Sequence, residues 1–274
     1  MHVVTTIAGS DSGGGAGIQA DLKTFQELHV FGTSVITALT AQNTLGVSGV
    51  LPIEAAFIQQ QFFALLEDFD IRAVKTGMLF SADIIHSIAQ ILQHKQLPLV
   101  VDPVMIAKGG ASLLQQQAIE AMRSELLPLA TILTPNIPEA ETLTGQHIET
   151  VDDIHRAAQT LLQVGGQCII IKGGHFECST TATDYVFFQD GRAWMMTMPR
   201  IETLNTHGTG CTFSAALTAF LGNGLPIEQA IIEAKKFIHL AITHDLKLGH
   251  GHGPTNHFAY QQYQGSCEVI VHEA

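Results

Sequence analysis

Short runs of β-branched and apolar residues alternate along this chain with longer segments whose apolar positions return at helical spacing. VVTTIAG precedes a helical period over 17–30, SVITALTA precedes one over 53–69, and AVKTG precedes one over 82–94. The alternation continues with PLVVDPV before 113–126, TILTPN before 138–143, and CIIIKGG after 152–164. Strands separated by helices pair in parallel, so the pattern predicts a mostly parallel sheet covered on both faces and joined by right-handed crossovers.

One segment breaks the pattern. DYVFFQDGRAWMMTM has no helical stretch inside it and reads as two strands around the turn QDGR, an antiparallel hairpin at a sheet edge. After it, TFSAALTAFLGNG is small and apolar at helical spacing and stops at Gly222 and Gly224. A last helix is expected over 227–244, and QGSCEVIVHEA is either an extra strand or a frayed end. The expected architecture is a three-layer α/β/α sandwich, taken as one domain over residues 1–274. A chain of this length with 46% hydrophobic residues can bury one large core.

Charge narrows the partners. A formal charge of −12, with 13 Lys plus Arg, leaves no basic run to track a phosphate backbone, so no nucleic acid is expected. No stretch approaches the roughly 20 apolar residues that span a bilayer, and MHVVTTIAGSDSGGG lacks a basic flank before an apolar segment, so no membrane partner and a cytoplasmic location are expected. Cys168, Cys178, Cys211 and Cys267 are widely spaced, form no CxxC pair, and read as thiols.

The polar and glycine-rich residues cluster where strands end. Gly9 to Gly17 (GSDSGGGAG), Gln42-Asn43, Lys75 to Gly77, Asp102-Pro103, Pro135-Asn136, Lys172 to Gly174 and Gly208 to Gly210 each follow an expected strand or open an expected helix. Loops and helix N-termini converge at that edge of a parallel sheet, so ligands bind there. NTHGTGCT, residues 205–212, is the sharpest signal, because glycines before a helix let backbone N–H groups close on an anion. The P-loop pattern GxxxxGK[ST] is absent, and SDSGGGAG does not fit the dinucleotide pattern GxGxxG.

AGSDSGGGAGIQADLKTF, TALTAQNT, KTGML, DPVM, TPNIPEAE, IKGGH, HGTGCTFSAA and GHGHGP occur in the order found in phosphomethylpyrimidine kinases, a resemblance running from about Ile7 to His257. It implies a ribokinase-like fold and transfer of the γ-phosphoryl group of ATP, with Mg2+, to a hydroxymethylpyrimidine and then to its monophosphate. It also implies a homodimer. Carried over by motif, Gly9, Asp21, Gln42 and Met78 form the pyrimidine site. Asp21 and the Gln42 amide suit ring nitrogens and an exocyclic amine, and Met78 supplies an apolar wall. The plainer readings are an exposed helix residue for Asp21 and a core residue for Met78.

Cys211 stands where many ribokinase-like enzymes carry an aspartate base. At a helix N-terminus its thiol pKa can fall, giving a thiolate that accepts the hydroxyl proton. The backbone donors of Gly208, Thr209, Gly210 and Cys211 are expected to carry more of the transfer than that base. Asn136 and Glu139 resemble an NxxE element that organises magnesium, with Asp102 a further oxygen donor, although Glu139 also suits a helix start. Lys172, at a strand end, is expected to reach triphosphate oxygens, and Lys235 lies near the expected nucleotide cleft. Lys108 to Gly110 is a candidate lid, and HGHG at 250–253 is read as a loop near the nucleotide rather than a metal site. Three other readings stand: pyridoxal kinase, since a thiol adds reversibly to an aldehyde; a non-catalytic nucleotide-binding regulator; and a hydrolase pairing His207 with Cys211.

Overall fold

The structure, a computed structural model, describes residues 1–105, 116–174 and 180–273. Along the first half run β1 (Val3–Asp11), α1 (Gly17–Glu27), β2 (Phe31–Asn43), β3 (Gly46–Pro52), α2 (Ala55–Asp68), β4 (Ile71–Thr76), α3 (Ala82–Leu92) and β5 (Leu99–Val101). There follow α4 (Gln116–Ala121), β6 (Ile132–Leu133), α5 (Ile137–Thr144), α6 (Val151–Val164), β7 (Cys168–Lys172), β8 (Thr181–Phe188) and β9 (Ala193–Pro199). The chain then forms α7 (Thr209–Gly222), α8 (Ile227–Thr243), α9 (Ala259–Tyr263) and β10 (Ile270–Glu273). The candidate lid at Lys108 to Gly110, the start of the 113–126 helix and Cys178 lie outside the described residues.

All these strands join one sheet in the order β10-β9-β8-β7-β6-β5-β4-β1-β2-β3. The six from β2 to β7 across the middle are parallel, while β8, β9 and β10 on one edge and β3 on the other are antiparallel. The hairpin around QDGR therefore forms as expected, and the tail pairs with β9 as an extra strand. The β2–β3 hairpin was not expected from the sequence. VSGVLP carries Gly49 and Pro52 and leaves Val50 and Leu51 exposed, so it lacks the alternation that marks a half-buried strand.

Alternation along the buried strands assigns the two faces. Leu99, Val101, Leu133, Ile169 and Ile171 face one core with α2 to α6. Val100, Ile132, Cys168 and Ile170 face a second core with α1, α7, α8 and α9. Three layers result, with helices on both faces of the sheet. In α7 every residue from Thr212 to Gly222 is buried, and small side chains let it lie flush on the strands: a Cβ at Gly222 would come within 2.4 Å of Val4.

Strand order reverses beside β1, since β2 follows on one side and β4 then β5 on the other. At such a switch point the connections diverge and leave a crevice at the carboxyl ends of the strands.

Candidate active site

A cavity of about 810 Å³ opens at that crevice. It is lined by Gly9 to Asp11 at the end of β1, Gln42 of β2, Gly77 and Met78 after β4, Asp102 after β5, Asn136 and Glu139 at the start of α5, Lys172 ending β7, and 206–211 opening α7. The structure thus brings the sequence candidates together with one exception, Asp21.

Asp21 is fully buried on α1, where it takes Lys75 Nζ at 2.7 Å and Thr6 Oγ1 at 2.6 Å. It does not line the cavity, which corrects the expectation of a direct hydrogen bond to a pyrimidine. Lys75 is equally buried, and although burial pulls its ammonium down, Asp21 holds it above its ordinary pKa.

Gly208 starts α7 in the left-handed region, φ 81°, and among the described residues no side chain caps this terminus. First-turn N–H groups such as those of Gly210 and Cys211 have no acceptor within the helix, and the helix dipole favours an anion in front of them. Lys172 closes on the same point, since a Cβ at Gly210 would sit 3.2 Å from Lys172 Nζ. That ammonium also donates to Asp102 Oδ1 at 3.1 Å. Burial lowers its pKa, but Asp102 and Glu139 outweigh burial and keep it raised. Asp102 accepts Ser214 Oγ at 3.1 Å and Thr134 Oγ1 at 3.3 Å, which fixes it beneath the first turn of α7.

The thiol of Cys211 borders the cavity but is not a thiolate. Burial pushes its pKa up to about 11; Lys75 works against this, while Asp21 and Asp102 add to it. Desolvation therefore overrides the depression that a helix N-terminus suggests from sequence.

Asn136 and Glu139 form a reciprocal cap on α5, with Asn136 Oδ1 accepting the Glu139 N–H and Glu139 Oε2 accepting the Asn136 N–H, both at 2.8 Å. Burial raises the Glu139 carboxyl to about 7, opposed by Lys172 and reinforced by Asp102. Among the described residues no group of three or more His, Cys, Asp or Glu is disposed to hold a metal. Asp102 and Glu139, the oxygen donors expected from the sequence, both line the cavity, and two carboxylates would suit an ion that takes most of its ligands from nucleotide phosphates and water.

At the acceptor end, Gly9 permits Met78 to cross above it, because a Cβ there would lie 2.2 Å from Met78 Cε. Met78 packs with Ala38, Val47 and Val104 as a small apolar cluster apart from the two main cores. Ser12 Oγ bonds both the backbone N–H and the carbonyl of Gln42 at 2.8 Å. His207 Nε2 lies 2.8 Å from Asp11 Oδ2, and a carboxylate partner requires that nitrogen to carry the proton. Gln42 Nε2, 3.3 Å from the same nitrogen, is then a donor facing a donor, and Gln42 lines the cavity.

Lys235 lines the cavity, but its ammonium is held by Asp184 Oδ2 at 2.7 Å and the Ala182 carbonyl at 3.2 Å. The HGHG loop contacts the tip of the β2–β3 hairpin through Thr44. Sequence reasoning passed over Asp11, Ser214 and Asp184. An Asp two residues before a run of three glycines, DSGGG, is the one available signal for Asp11, since such a carboxylate accepts N–H groups of its own loop.

Comparison with known proteins places this sequence and fold. The family model for phosphomethylpyrimidine kinase matches residues 11–256. A hydroxymethylpyrimidine/phosphomethylpyrimidine kinase of Haemophilus influenzae is 57% identical over 94% of this chain and 97% of its own length. The protein of that name from Bacillus subtilis is 54% identical over 96% of this chain and 97% of its own. An ADP complex of pyridoxal kinase, also from Bacillus subtilis, superposes with a TM-score of 0.88 at 42% identity, covering 95% of this chain and 99% of that one.

Proposed function

The chain belongs to the phosphomethylpyrimidine kinase family of ribokinase-like phosphotransferases, and from that membership we propose that it phosphorylates 4-amino-5-hydroxymethyl-2-methylpyrimidine and then its monophosphate, using Mg-ATP. The observation that carries the reading is the uncapped start of α7 with Lys172 beside it, facing the slot of Gly9, Gln42 and Met78 across one cavity.

In the transfer, the substrate hydroxyl oxygen forms a bond to the γ-phosphorus while the bond to the β–γ bridging oxygen breaks, its electron pair leaving with ADP; the hydroxyl proton leaves late, to a phosphate oxygen and then to water. The transition state is loose, so positioning and charge neutralisation dominate. The N–H groups of Gly210 and Cys211 and the Lys172 ammonium face the equatorial oxygens, with Gly208 and Thr209 shaping the turn. Asn136 and Glu139 border the phosphates, and Asp102 and Glu139 would hold Mg2+ through oxygen. When bound, that ion neutralises phosphate charge. Cys211, protonated at rest, packs against the reacting hydroxyl as a neutral group. Gln42 donates to a ring nitrogen and Met78 covers the ring face. Asp21 contributes from beneath, through Lys75.

A second reading, phosphorylation of pyridoxal, draws support from the pyridoxal kinase superposition. The pyrimidine is favoured because, within Bacillus subtilis, identity is 54% to the pyrimidine kinase and 42% to the pyridoxal kinase. The exposed apolar residues Leu39, Val50, Leu51, Phe57 and Phe63, on an edge hairpin and α2, support a homodimer. No described helix is long and apolar enough to cross a membrane. Free thiols at Cys168, Cys211 and Cys267 support a reducing, cytoplasmic setting.

ADP release with Mg-ATP, measured in parallel against the hydroxymethylpyrimidine, its monophosphate and pyridoxal, tests this. Turnover of both pyrimidines is the expected result. Activity confined to pyridoxal would reassign the substrate, and ADP binding without turnover of any of the three would favour a regulator.

A further inference from the structure

The cavity wall contains a buried ion pair that the transfer chemistry does not use. Lys235 of α8 and Asp184 of β8 are 5% and 7% exposed and meet at 2.7 Å. The other Asp184 oxygen, Oδ1, accepts the Gly173 N–H at 3.2 Å. Asp184 is the register partner of Lys172 in the antiparallel β7–β8 pair, so this carboxylate grips the peptide directly after Lys172. Gly173 lies so close to β8 that a Cβ there would meet the Thr183 carbonyl oxygen at 2.2 Å. The backbone that carries Lys172 is thereby pinned while its ammonium reaches Asp102 at 3.1 Å.

We propose that Asp184 and Lys235 are positioning residues for nucleotide binding: Asp184 fixes the Gly173 peptide and through it Lys172, and Lys235 acts by neutralising Asp184 rather than by touching the nucleotide. This rests on the nucleotide reading of the cavity. Its physical basis is the cost of an unpaired buried charge. Without Lys235, Asp184 becomes an uncompensated anion in the wall of a cavity that receives a polyphosphate, and both its burial and its repulsion of the ligand are unfavourable. Removing both charges together leaves neither penalty, and an Asn at 184 still offers a carbonyl oxygen to the Gly173 N–H.

The two roles for Lys235 predict opposite outcomes. A positioning role predicts that Lys235→Met weakens ADP binding by roughly tenfold or more, and that Asp184→Asn added to it restores binding to within about fivefold of wild type. A direct contact predicts that the double variant binds no better than Lys235→Met, and that Asp184→Asn alone tightens ADP by freeing the ammonium.

Calorimetric titration of ADP into the wild type and the three variants decides between them without any acceptor substrate. Failure of the wild type to bind ADP would overturn the nucleotide reading itself. Wild-type binding with a loss of more than about fivefold in the double variant would overturn the positioning role alone. Should Lys235→Met fail to fold, the charge-neutral double variant retains the Gly173 hydrogen bond and gives the answer by the same threshold.

Discussion

His207 donates its Nε2 proton to Asp11 at 2.8 Å, although Cys211 is four residues away in sequence and Asp11 is 196. The same carboxylate accepts the N–H groups of Gly13, Gly15 and Ala16 at 2.8, 3.1 and 2.8 Å. Burial raises the Asp11 pKa, but His207 and the amides of Ala16 and Gly13 outweigh burial and hold it below the usual carboxylate range. One ionised side chain therefore organises the glycine loop after β1 and ties it to the residue before Gly208.

Asp11→Ala removes all four contacts and leaves the loop donors seeking water. We expect kcat/KM for the pyrimidine to fall by about 10- to 100-fold, since misplacement of an acceptor is costly in transfer chemistry. The Kd for ADP should change by less than about threefold, because α7 and Lys172 retain their own supports. Initial-rate kinetics beside ADP titration separates the two. A loss of ADP binding equal to the loss of kcat/KM would mean that Asp11 supports the whole cavity instead.

Cys211 is a thiol at neutral pH, with its pKa raised to about 11 by burial. Its alkylation by iodoacetamide should therefore rise about tenfold per pH unit up to pH 10, because only the thiolate reacts. Peptide mass spectrometry reads that rate directly, and a plateau near pH 7 would contradict it. Cys211→Ala should retain about 1–10% of kcat, less damage than a true general base would show, with ADP affinity unchanged.

The parts that could be read from the chain are those governed by local chemistry. The alternation of Leu99, Val100 and Val101 between two cores makes the layered sheet legible, and the glycines at 208 and 210 mark the proposed anion site. Partnerships made across the fold were hidden. Asp21 looks suited to a ligand until Lys75, 54 residues away, is seen to occupy it, and Cys211 looks activated until its burial is known. Strand β3 was missed for a related reason. Apart from Val47, its apolar residues Val50 and Leu51 face outward, so no internal core imposes a period on them.

His257 is 3% exposed and pairs through Nε2 with Thr212 Oγ1 at 3.1 Å, in the first turn of α7. Burial pulls its pKa from 6.5 down to about 4, with Lys23 adding to the effect. The unfolded chain takes up this proton before the folded one does, so the contribution to stability is fully present above pH 6.5 and is lost as pH falls towards 4. The loss should reach about 3 kcal/mol at most. Urea unfolding of the wild type and His257→Gln at pH 7, 6, 5 and 4 checks it. The wild type should lose its advantage over the variant across that window, and a constant difference would disprove the linkage.

Gly208 has a φ of 81°, and a Cβ there would lie 1.8 Å from the Gly15 carbonyl oxygen. Gly208→Ala meets two costs at once. The left-handed backbone alone is unfavourable for alanine by about 1–2 kcal/mol, and the collision with a loop already held by Asp11 cannot be relieved by rotating a side chain. Either the loop or the start of α7 must move, and the start of α7 forms the proposed phosphate site. We expect the melting temperature to drop by about 5 °C or more, and ADP to bind at least about tenfold more weakly because backbone donors at a helix start act through fixed geometry. Gly265→Ala is the control: nothing lies within 4 Å of its added methyl, and its φ is not in the left-handed region. A Gly208→Ala protein that melts and binds like Gly265→Ala would show that the start of α7 does not hold the phosphate.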